Sequence, residues 1–70
     1  MNKTVDPIEV GRRLRNLRGI MPRTKVANLM GVSYSALTKY EMGLKIPSDK
    51  TKVRIANFYG TSVQSIFYSP

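Results

Sequence analysis

Apolar residues recur at helical spacing along most of this chain, and no stretch alternates apolar and polar positions over the length of a strand. Val10, Leu14 and Leu17, at i, i+4 and i+7, place one apolar stripe on a first helix. The run VDPIEV is a helix start. Asp6 can cap, Pro7 suits the first helical position, Glu9 stands three after the cap as in a capping box, and Val5 and Val10 hold the staple positions. Arg12 and Arg15 fall opposite the stripe, and Gly19 stops the helix. Pro22 opens a second helix with Val26, Ala27 and Met30 inward and Gly31 at its end. Ser33 can cap a third helix that buries Leu37 and Tyr40 and ends at Gly43. After LKIPS, Ser48 caps a fourth helix with Ile55, Ala56 and Tyr59 inward, closed by Gly60. Ser62 caps a last short turn carrying Val63, Ile66 and Phe67. The pattern predicts an all-α chain of five short helices. Residues 1–5 are expected as a flexible arm, 6–68 as one domain and 69–70 as a tail.

Composition narrows what such a bundle can do. Seventy residues make one domain, and a chain of this size buries only ~60% of the surface its unfolded form exposes. With neither Cys nor His, the common thiolate and imidazole metal ligands and the usual general base are missing. Asp6, Glu9, Glu41 and Asp49 are its only acids, and Asp6 and Asp49 stand where helices start. Acid–base or nucleophilic catalysis has almost nothing to work with, so an enzyme is not expected. No metal, cofactor or small-molecule ligand is expected either. Lys and Arg interrupt every hydrophobic stretch, leaving neither a membrane span nor a signal-peptide core, and a cytoplasmic protein is expected.

Twelve Lys and Arg against four acids give a formal charge of +8 and a pI near 10.3. Such a field attracts polyanions and releases their counterions on binding. Excess charge also serves solubility, so a second signal is needed.

That signal lies around residues 23–43. A helix-turn-helix needs a small residue where its helices cross, a Gly-like residue in the turn and apolar anchors for the second helix. Ala27, Gly31, Val32, Leu37 and Tyr40 supply these in register. Here the chain resembles the Cro/repressor-type (Xre-like) helix-turn-helix family of bacteria and phages. The resemblance is carried by VANLMGVSYSALTKYEMG, then KIPS, then RIANFYGTSVQSIF, and spans about Ile8 to Tyr68. It implies a lambda-repressor-like DNA-binding domain with the motif at helices 2 and 3. Two departures stand out: the connection from Arg18 to Val26 is short for the family, and Arg23 stands where many members carry Gln.

The resemblance implies that the third helix enters the major groove of double-stranded DNA. With Leu37 inward, Ser35, Thr38 and Lys39 point outward and Tyr34 sits on the flank. Ser35 and Lys39 are the first candidates for base edges, Lys toward guanine O6/N7. Tyr34 either reads a thymine methyl, holds a phosphate or packs on the turn, and Thr38 is similarly divided. Arg23, Ser33 and Lys45 are phosphate candidates, Ser33 being first a helix cap, and Arg23 and Lys45 equally ordinary solvated cations. In related members the acid equivalent to Glu41 pairs with an Arg of the first helix, which here leaves Arg18 or Arg15.

Val63, Phe67 and Tyr68 have two readings: they finish the monomer core, or they form a self-association surface for a homodimer. A two-fold dimer would set its recognition helices about 34 Å apart on a near-palindromic site. The expected function is a sequence-specific DNA-binding transcriptional regulator, a repressor in the first instance. The alternative is a protein-interaction or antitoxin-like module on the same fold with incidental DNA binding.

Overall fold

The computed structural model describes residues 5–69; residues 1–4 of the expected arm and Pro70 of the tail lie outside the described residues. The elements are α1 (Pro7–Arg18), α2 (Arg23–Met30), α3 (Tyr34–Glu41), α4 (Asp49–Tyr59) and a short π-type turn, α5 (Gln64–Tyr68). No strand occurs among the described residues.

Side-chain caps start three of the helices where the sequence places them. Asp6 Oδ1 accepts from the amides of Ile8 and Glu9, Ser33 Oγ from Ala36 and Ser48 Oγ from Thr51. Each satisfies backbone donors that have no partner inside the helix. Glu9 turns outward, where its carboxylate receives Nε and Nη2 of Arg12. Pro22 is the N-cap of α2 and supplies no side-chain acceptor. Gly31, at φ 85° and ψ 28°, ends α2 in the left-handed region that a side chain disfavours.

The core is built from every helix. Val10 and Leu14 of α1 meet Val26, Ala27 and Met30 of α2, Leu37 and Tyr40 of α3, Ile55 and Ala56 of α4, and Ile66 and Phe67 of α5. Burying each large aliphatic side chain contributes roughly 1.5–3 kcal/mol, which a 70-residue domain needs. Val5, Val32, Ile46, Val63 and Tyr68 pack at its margin.

Two expectations about apolar residues change. Leu17 is exposed instead of completing the α1 stripe. It lines an open cleft of about 230 Å³ with Arg13, Asn16, Thr61, Ser65 and Ile66. Phe67 is only 1% exposed. It belongs to the interior of the monomer and is withdrawn from the self-association surface. Val63 and Tyr68 are half-buried.

The C-terminal turn is fastened by two cations. Arg13 donates to the carbonyls of Ile66 and Ser69, both at 2.8 Å. Lys52 donates to the Tyr68 hydroxyl at 2.9 Å. Its ammonium lies 5.0 Å from the Tyr68 ring centroid and 5.7 Å from that of Phe67. Hydrogen bonding to Tyr68 raises the Lys52 pKa, opposed by desolvation. That balance lets a nearly buried lysine stay charged.

Candidate nucleic-acid interface

The angle of α3 is fixed before any ligand arrives. The amides of Gly31 and Val32 both donate to Ala27 O, at 2.9 and 3.1 Å, closing the end of α2. Arg54 of α4 donates to Gly31 O at 3.0 Å, tying the turn to the helix behind it. Ser33 then opens α3. Leu37, Tyr40 and Glu41 are buried.

Glu41 is the unusual member of that inward face, because its side chain is 0% exposed. A lone buried carboxylate would be severely destabilising or would take up a proton, so its partners decide its role. Arg18 of α1 donates Nε to Oε2 at 2.8 Å and Nη2 to Oε1 at 3.0 Å. Arg23 of α2 donates Nε to Oε1 at 2.8 Å. Arg15 Nη1 donates to the main-chain oxygen of Glu41. Arg18 also donates Nη1 to Met21 O at 2.7 Å. The expected partner on α1 is therefore Arg18 for the carboxylate and Arg15 for the backbone.

Gly11 allows this junction. A methyl group at its α-carbon would collide with the carbonyl of Glu41, so α1 and α3 cross at a distance that only glycine permits. Sequence reasoning missed this residue. The available signal was a glycine inside a helix beside buried Val10, a position costing about 1 kcal/mol relative to alanine unless close packing requires it.

The outward side of α3 is different in kind. Ser35 and Lys39 are exposed, and Tyr34 is 50% exposed at the head of the helix. Thr38, divided between a DNA contact and packing, is half-buried, and its Oγ1 is buried with no hydrogen-bond partner among the described residues. Ser33 is exposed with its Oγ in the cap, and Lys45 is exposed in the connection to α4.

Arg23 is more constrained than a solvated cation. Its side chain is 25% exposed and tied to Glu41. Hydrogen bonding to Glu41, and next to the Tyr34 hydroxyl, raises its pKa. Sequence reasoning placed Arg23 at the rim and missed that it shares the carboxylate of Glu41. The one available signal was the arginine at a position where glutamine is usual.

Among the described residues no group of three or more acidic, His or Cys side chains could hold a metal ion, and no helix is long and apolar enough to cross a membrane.

A helix-turn-helix family model matches residues 12–66. None of the curated protein sequences matches the chain. Among solved structures, the chain is similar to the restriction-modification controller protein C.AhdI from Aeromonas hydrophila. The likeness has a TM-score of 0.78 at 25% identity, and covers 89% of this chain and 93% of that one.

Proposed function

The chain belongs to the helix-turn-helix family, and from that premise we propose that it is a sequence-specific double-stranded-DNA-binding transcriptional regulator. It acts in the cytoplasm, without catalysis, as a repressor that occupies its operator. α3 enters the major groove with Ser35 and Lys39 toward base edges and Tyr34 at the leading end. Ser33 and Lys45 meet phosphates on either side.

One observation carries this reading. The single acid of α3, Glu41, is wholly buried and held by arginines, whereas Ser35 and Lys39 stand exposed. The helix therefore shows an acid-free polar face on a protein of charge +8. Core building accounts for Leu37 and Tyr40 but gives no reason for that face. The likeness to a restriction-modification controller protein supports a regulatory role.

A homodimer with Val63 and Tyr68 near its two-fold axis would place two copies of α3 about 34 Å apart, one turn of DNA.

Selection of bound sites from random duplex DNA tests the proposal. A preferred sequence is expected, and its symmetry reports the oligomeric state. Lys39→Ala and Ser35→Ala are each expected to lose about 1–3 kcal/mol of discrimination at the contacted position. Binding only at low salt, with no preferred site, would instead support the protein-interaction alternative.

A further inference from the structure

We propose that Glu41 presets Arg23 as a phosphate clamp: one buried carboxylate locks α1 to α3 and also aims a cation of α2 at the DNA backbone. The inference rests on the DNA-binding reading above and assigns Glu41 as a positioning residue for Arg23.

Charge balance is the first argument. Arg18 alone gives Glu41 a two-point pairing, with Nε on one carboxylate oxygen and Nη2 on the other. One guanidinium already neutralises one carboxylate. Arg23 is thus a second cation on a satisfied anion, and the three groups together keep one positive charge. That surplus sits toward solvent, because the Arg23 side chain is 25% exposed against 16% for Arg18.

The geometry of attachment is the second. Glu41 takes Arg23 through Nε, the nitrogen nearest the main chain. The terminal nitrogens Nη1 and Nη2 lie outside that bond, and their planar fork matches phosphate oxygens. The Tyr34 hydroxyl acts on the same guanidinium. Tyr34 begins α3 and Glu41 ends it, so the groups acting on this α2 guanidinium come from the two ends of α3.

Position is the third. Arg23 is the first residue of α2, whose first turn holds no acid and whose N-cap supplies no side-chain acceptor. A cation there opposes the helix dipole; the charge of Glu41 is already matched by Arg18, so a bound phosphate would relieve what remains of that opposition. Lysine cannot substitute: its ammonium is a point charge that cannot hold Glu41 through one nitrogen and present a fixed pair of others.

The test measures binding of the full chain to duplex DNA against salt concentration, for wild type, Arg23→Gln and Arg23→Lys, with folding checked by circular dichroism. Wild-type binding is the control for the underlying reading; its absence overturns that reading and this inference with it. Given wild-type binding, Arg23→Gln is expected to reduce the slope of log K against log salt by about 0.9, one phosphate's worth. Arg23→Lys is expected to restore the slope while binding about five-fold more weakly than wild type, the cost of ordering an unheld side chain. A wild-type slope for Arg23→Gln would leave Arg23 as a structural counter-charge and overturn the clamp. Full recovery of affinity by Arg23→Lys would overturn the positioning by Glu41. If Arg23→Gln proves unfolded, Arg23→Lys, which keeps the positive charge, decides by the same comparison of affinities.

Discussion

Gly11 faces the main-chain carbonyl of Glu41 with no room for a side chain between them. Gly11→Ala therefore forces α1 away from α3, although alanine is the better helix former. The expected cost is about 1–3 kcal/mol, as for other overpacked interiors, read from urea unfolding. Any gain in stability from the improved helix propensity would show that the crossing relaxes freely.

Removing the carboxylate of Glu41 strands the arginines that surround it. Glu41→Ala is expected to lose about 3 kcal/mol, the scale for leaving buried charge unpaired. A domain of this length holds roughly 4–10 kcal/mol in total, so such a variant is close to unfolding at 37 °C. Arg18→Ala should cost more than Arg23→Ala, because Arg18 also donates to Met21 O and makes the two-point pairing. Thermal melts of the three variants give the order directly.

Tyr59 makes the alkaline limb of stability steep. Its hydroxyl is buried with no partner among the described residues. Burial, then the Glu41 carboxylate, pushes its pKa up from 10.0 to about 12, against a lowering influence from Arg18. Between those values the unfolded chain releases the proton and the folded chain keeps it. This contribution is therefore full below pH 10 and lost as pH rises toward 12. Tyr59→Phe should flatten that decline. Below it, the variant should equal the wild type or gain up to about 1 kcal/mol, since no hydrogen bond is lost. Lys52, whose pKa is raised by its hydrogen bond to Tyr68, is the same in both proteins, so the difference between their melting curves isolates Tyr59.

Phe67→Ala separates the two roles considered for the C-terminal turn. As a core residue, Phe67 should cost about 3–5 kcal/mol on truncation, with a loss that does not vary with protein concentration. A concentration-dependent loss would return this ring to an interface between copies.

Helix boundaries were legible because their chemistry is local: Asp6, Ser33 and Ser48 cap within their own first turns. Most of the core was legible too, since helical phase tells which residues share a face. It does not tell whether another element lies over each turn of that face, which is why Leu17 was misplaced. Thr38 was open for a related reason: at the edge of the outward side, backbone direction alone does not say that its hydroxyl turns in. The sharing of Glu41 by Arg18 and Arg23 joins residues 23 and 18 positions apart in sequence, and no local spacing encodes such a meeting. Gly11 is the intermediate case, visible as an anomaly but explicable only once α3 lies across it.

The two-sidedness of α3 has a consequence for how such a protein can change its target. Leu37, Tyr40 and Glu41 carry the helix's attachment to the domain, and Ser35 and Lys39 are exposed on the same eight-residue segment. The exposed pair can therefore be exchanged with little effect on folding, so under the proposed DNA-binding role target choice could drift or be re-engineered as an address separate from the scaffold. Under the same proposal the boundary of that freedom is Arg23, which is tied to Glu41.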